Sequence, residues 1–196
     1  MTAFTRRAAC RSLGTGLVTA LAAAKLASPA RADERPIPYS DNELIENGHR
    51  FFGSLSRGLA EAIQSATRRW GQPNAYVLGQ EAGGAIVGGL RYGEGAMYTR
   101  NAGDRKVFWQ GPSLGFDYGA DGDRTMMLVY NLPSTDAMFQ RFLGVDGSAY
   151  LVGGFGVTAL AFDGVTVVPI RTGVGARLGV NIGYLKFTEH PTWNPF

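Results

Sequence analysis

The chain has 196 residues, a formal net charge of +3 and 45% hydrophobic residues, which suits one domain with its own core. A single cysteine excludes an internal disulfide, a cysteine zinc site and most thiol chemistry. The basic excess lies at the N-terminus alone, so composition excludes a nucleic-acid-binding surface.

Residues 1–32 read as an export signal. Arg6, Arg7 and Arg11 form a basic opening, "LGTGLVTALAAA" is a mild apolar run, and Ala30-Arg31-Ala32 is a small-x-small cleavage motif. Cleavage is expected between Ala32 and Asp33. Thr5-Arg6-Arg7 fits a twin-arginine signal, and an ordinary Sec signal fits as well, because Ala9 stands where that pathway usually has a bulky residue. The apolar run is too short for a stable spanning helix. Cys10 precedes that run, so it is not placed as a lipoprotein cysteine, and the remaining chain has no thiol. Removing the signal's 5 basic residues from 19 leaves 14 against 16 acids, a net charge of −2. The expectation is an exported periplasmic protein without nucleic-acid partners.

Residues 33–39, with Pro36 and Pro38, read as an extended leader, and 40–196 as one barrel domain with N-terminal helices. Ser40 and Glu43 form a capping box, so a helix starts there and should break around Gly48 to Gly53. Leu55, Leu59, Ile63, Ala66 and Trp70 then make an apolar stripe at helical spacing, closed by Gly71 and Pro73.

From Ala75 the period becomes alternating. Turn signals at Glu81–Gly84, Asn101–Asp104, Ala120–Asp123, Val145–Gly147 and Asp163-Gly164 divide the chain into about eight strands. They are 75–79, 84–92, 95–101, 106–118, 124–131, 147–162, 165–171 and 174–187. One inserted helix is expected over "TDAMFQRFLG", capped by Ser134 and ended by Gly144. Eight glycine-rich strands suggest closure into a small barrel, mainly β in class. A membrane barrel would carry its last strand to the terminal residue. Here Pro191 and Pro195 break the ladder before Phe196, and Trp193 with Phe196 is expected to plug the barrel. The reading is a soluble, monomeric barrel and not an integral membrane protein.

"GQPNAYVLGQEAGGAIVGGLRYGEGAMYTRNAGDRKVFWQGPSLGFDYGADGDRTMMLVYNLPS" and "GVGARLGVNIGYLKFTEHPTWNPF" closely resemble the EipA (envelope integrity protein A) family of alphaproteobacterial periplasmic proteins. The resemblance runs from near Tyr39 to Phe196. It implies a soluble eight-stranded barrel with helices, a role in resistance to envelope stress and no established enzymatic activity. "GGLRYGEGAMYTR" is also faintly similar to the glycine-rich core of SYLF lipid-binding domains. The basic amphipathic N-terminal segment that those domains use on membranes is not evident here.

Chemistry-bearing residues are few. Glu46-x-x-His49 has the spacing of half a carboxylate-bridged metal site, yet no second copy exists, so His49 reads as a helix-surface residue. His190, beside Pro191, reads as a solvated loop residue. Asp117, Asp121 and Asp123 in "DYGADGD" read as an acidic turn, since the distal Glu of a calcium loop is missing. "GVGARLG" leads into a strand and not a helix, so its glycines are barrel glycines. No G-x-S-x-G elbow occurs.

Glu81, Glu94 and Asp117 are the acids that by type could form a hydrolytic pair, although each has a turn or surface explanation. Arg177 and Asn181, spaced by glycines on one strand face, are the candidate interior contacts for an anionic or carbonyl group. The expectation is a non-enzymatic protein supporting envelope integrity, with no catalytic residue, cofactor or metal. Its partner would be an envelope component such as a lipid or polysaccharide. The alternatives are a barrel that binds a lipid or glycan fragment and, third, a cell-wall or polysaccharide hydrolase.

Overall fold

The computed structural model describes residues 35–53, 57–84, 89–113, 123–172 and 183–194. All of them lie in the compact unit Arg31–Phe196. Ala32, Asp33, Asp117, Asp121, Arg177, Asn181 and Phe196 lie outside the described residues, as does the side chain of Asp123.

The helices are α1 (Asp41–Phe52) and α2 (Arg57–Trp70). The Ser40 amide donates to Glu43 Oε2 at 3.0 Å, which is the reciprocal arm of the expected capping box. Helix α1 continues through Gly48 and ends only at Gly53. A Cβ on Gly48 would sit 2.8 Å from Leu59 Cδ2, so this glycine admits α2 at close range and does not break the helix.

Strands β1 (Ala75–Gly84), β2 (Gly89–Tyr98), β3 (Arg105–Ser113) and β4 (Asp123–Tyr130) follow. Then come β5 (Arg141–Gly144), β6 (Tyr150–Val152), β7 (Phe155–Val157), β8 (Leu160–Phe162), β9 (Val165–Thr172) and β10 (Tyr184–Thr188). The hydrogen-bonded order β4-β1-β2-β3-β10-β5-β8-β9 returns to β4 through the β4–β9 pairing. That closes an eight-stranded antiparallel barrel, with the β6–β7 hairpin attached to the far half of β9.

Eight strands close the ring, but they are not all the ones read from the sequence. The expected turn at Glu81–Gly84 is strand: β1 runs to Gly84, with Glu81 opposite Gly93. The expected break at Gly93-Glu94 is the middle of β2. The expected helix over 134–144 is a single 3-10 turn, Thr135–Met138, followed by β5. Its apolar residues fit either period, and the ring needs a strand between β10 and β8. Phe142 points in, while Arg141 and Leu143 face out. Residues 147–162 break into β6, β7 and β8. The Asp163-Gly164 hairpin stands as read, with φ of +46° and +78°.

Alternation separates two apolar clusters. Val77, Met97, Val107, Trp109, Met127, Val129, Phe142, Val167, Leu185 and Phe187 face inward and fill the barrel. Their exposures of 0–1% leave no water-sized void against them. Tyr76, Met126, Leu128, Val168 and Ile170 face outward from β1, β4 and β9 and pack under Leu44, Leu59, Ala62, Ile63 and Ala66 of the helices. Glu94 and Lys106 also face outward and pair at 3.3 Å, both largely exposed. A filled apolar interior, a helix-covered side and an exposed ion pair on the wall are not the lipid-facing band of a membrane barrel. No helix among the described residues is long and apolar enough to cross a membrane.

Trp193 does not plug the barrel, and its expected partner Phe196 lies outside the described residues. The tail runs back along the outer wall, where Tyr92 Oη donates to the Trp193 carbonyl at 3.1 Å and the two rings meet edge to face. Trp193 itself is 85% exposed.

Candidate functional site: the polar end of the barrel

The inward-facing positions change character along the barrel. Toward one end they are apolar, closed by Leu132 and Met138. Toward the other, β1 contributes Glu81, β2 Arg91, β4 Thr125 and β9 Arg171. Trp109 on β3 forms the floor between the two regions. A Cβ on Gly79 would lie 2.6 Å from its Cη2, and one on Gly93 would overlap the indole outright. Those two glycines therefore make room for the Trp109 ring inside the wall.

Trp109 Nε1 donates to Glu81 Oε2 at 2.8 Å. Arg171 Nη2 donates to the same oxygen at 3.3 Å, while its Nε lies 3.2 Å from Oε1. Arg91 Nη1 is 3.9 Å from Oε1. The side chain of Glu81 is only 10% exposed, and those of Arg91 and Arg171 are 12% and 23%. Burial alone would raise the Glu81 carboxyl. Arg171, Arg91 and the Trp109 N–H outweigh it and hold that carboxyl below the usual range. Thr125, opposite both Gly79 and Arg171, is fully buried, and its hydroxyl has no hydrogen-bond partner among the described residues.

Glu81 thus has neither a turn nor a surface role: it is the anion of a buried Arg–Glu–Arg cluster. Sequence reading placed it in a turn because Ala82, Gly83 and Gly84 follow it. Its alternation with Val77 and Gly79 was the available signal, and Arg91 and Arg171 carried none of comparable strength. Glu94 lies on the opposite face of the wall from Glu81, so these two acids are not a catalytic pair. Glu46 pairs with Arg50 at 2.9 Å, and His49 is exposed on α1. The His190 carbonyl accepts from Thr188 Oγ1 at 2.8 Å in the outer tail. No group of three or more histidines and acids placed to hold a metal occurs among the described residues.

This arrangement can orient an indole and hold a charge network in place. Its carboxylate is ionised and clamped by two permanent cations, which makes it a poor proton donor or acceptor near neutral pH.

Residues 38–196 match the family described as envelope integrity protein A. A crystal structure described as a beta-barrel-like, uncharacterized protein from Brucella abortus is 57% identical, with a TM-score of 0.75, and the match covers 81% of this chain and 99% of that one. No curated protein matches the chain. A closed barrel built on Trp109, and a family match across nearly the whole described region, lead to one identification: the chain belongs to the envelope integrity protein A family.

Proposed function

We propose that this is a periplasmic, non-enzymatic protein that supports cell-envelope integrity and resistance to envelope stress. The observation that carries the non-enzymatic reading is the state of Glu81. Its side chain is only 10% exposed, and it is neutralised by Arg171 and Arg91 and turned away from Glu94. Hydrolysis of glycans needs two carboxyls on one cleft with separated proton affinities. The family match supports the envelope role, and the Ala30-Arg31-Ala32 motif supports export.

A barrel that binds a lipid or glycan fragment is the second reading. The packed interior below Trp109 has no room for an acyl chain, so a bound fragment would be polar and would sit at the Glu81 end.

Complementation of a deletion strain under envelope stress tests the proposal. Glu94→Gln, His49→Asn and His190→Asn should restore resistance fully, and Glu81→Gln should restore it in proportion to the folded protein recovered. A fully folded, normally abundant variant of any of these residues with null-level resistance would overturn the non-enzymatic reading.

A further inference from the structure

The helices cover only the β1–β4–β9 side of the barrel. The outer face of β2, β3, β10 and β5 carries no helix, and the outward residues at its Glu81 end form two rows, beyond which the wall continues with Phe108, Thr188 and the Glu94–Lys106 ion pair. The row nearest the Glu81 end is apolar. Leu90 stands opposite Pro112, Tyr184 stands opposite Leu143, and a Cβ on Gly183 would lie 3.6 Å from Pro112, which joins the two pairs. Leu90 is 40% and Leu143 56% exposed, at the two ends of a row that crosses β2, β3, β10 and β5.

The next row inward is aromatic and basic. Tyr92 stands opposite Gln110, Gln110 opposite Lys186, and Lys186 opposite Arg141; Gln110 is itself buried, so Tyr92, Lys186 and Arg141 supply the accessible groups of this row. Trp193 packs on Tyr92, and the Arg141 guanidinium lies 4.8 Å from the Tyr184 ring centre. Lys186 Nζ is 3.4 Å from the Asn194 carbonyl, which ties the tail to the same row. These two rows contain two cations and no acid, on a chain whose exported part is net acidic.

We infer that this face is a docking surface for an anionic lipid bilayer. The order of side chains is what selects the occupant. An apolar tip would enter the acyl region. Behind it, tyrosine and tryptophan would lie at headgroup depth, where amphipathic rings partition, and Arg141 and Lys186 would meet anionic headgroups. Their aliphatic stems can lie along the apolar row while the charges stay at the headgroups. The surface uses strands and the C-terminal tail, not an N-terminal helix. It requires no ligand inside the barrel and no catalysis.

The experiment is sedimentation of the exported chain, residues 33–196, with phosphatidylcholine vesicles with and without phosphatidylglycerol. Trp193 emission is followed in the same samples. The protein should sediment with the anionic vesicles at least tenfold more than with the neutral ones, and added salt should weaken the binding. The emission should shift to the blue, and Trp193→Phe should remove that shift. Leu143→Asp and Arg141→Glu should each lower partitioning about tenfold at an unchanged melting temperature. Leu151→Asp, at an exposed residue away from both rows, should leave it unchanged.

Partitioning that equals the vesicle-free background overturns the inference, as does binding indifferent to Leu143→Asp and Arg141→Glu. Self-association lost in Leu143→Asp without vesicle binding would assign the face to a second copy instead, and would equally overturn it.

Discussion

Gly93→Ala is the sharpest probe of the barrel interior. The added methyl would occupy the space of Trp109 Cε2, Cζ2 and Nε1. The indole cannot slide along the wall, because Gly79 cradles its far edge with only 2.6 Å from a notional Cβ to Cη2. It is fully buried, with Phe187 beside it at 6.2 Å between ring centres. Overpacking of this kind costs about 1–3 kcal/mol. Tilting the ring also breaks the 2.8 Å Nε1–Glu81 hydrogen bond, and a bond to a charged group contributes about 1.5–3 kcal/mol. The two together predict a loss of about 2.5–6 kcal/mol. For a domain of this size, that corresponds to a fall in melting temperature of about 5–24 °C. Urea unfolding followed by far- and near-UV circular dichroism measures it. A variant within about 0.5 kcal/mol of the parent, the size of an ordinary surface effect, would refute the placement of Trp109 on this glycine.

Gly183→Ala should be nearly neutral, within about 0.5 kcal/mol by urea unfolding, because the new methyl would meet only Pro112 and Arg91 at 3.6 and 3.8 Å. Gly164→Val should cost about 1–3 kcal/mol, since its φ of +78° suits glycine and strains a β-branched residue; an unchanged melting temperature would displace the turn. The Glu81 carboxyl titrates below the 4.5 of a free glutamate, so its contribution is complete above that pH and is lost as pH falls through the lowered folded value. Melting temperature of the parent should therefore fall more steeply below pH 4.5 than that of Glu81→Gln, and parallel pH profiles would deny the cluster its charge.

The legible parts were those fixed locally. The capping box at Ser40, the apolar stripe of α2 from Leu59 to Trp70 and the two-residue turn at Asp163-Gly164 depend on neighbours in sequence, and each stands in the structure, while Leu55 of that stripe lies outside the described residues. Closure into eight strands was legible from glycine content and alternation. What failed was decided by distant partners. Met138, Phe139, Phe142 and Leu143 fit a helical period, but the gap between β10 and β8 makes 141–144 a strand. Gly93 looked like a break because the reason for it, the Trp109 ring, stands on another strand. The Glu81 cluster was illegible as a cluster for the same reason: Arg91 and Arg171 stand 10 and 90 residues from Glu81 and are joined to it only by the barrel register. Arg177 and Asn181, the interior contacts read from sequence, lie outside the described residues.

The ring is uneven in its joints. β1 and β2 meet over nine residue pairs, as do β2 and β3, whereas β5 and β8 share only Leu143 with Ala161 and Gly144 with Leu160. Backbone amides along β1 and β2 can exchange with solvent only when the whole barrel opens, while the β5–β8 joint parts once its two rungs and the adjoining Val145 and Ser148 bonds to Ala159 are lost. Hydrogen exchange should therefore divide the molecule into a slow sheet and a fast seam on the side away from the helices. The order of assembly should run the same way. The β1–β2–β3 meander forms from neighbours in sequence, and the β3–β10 closure has to wait until the end of the chain has returned to it.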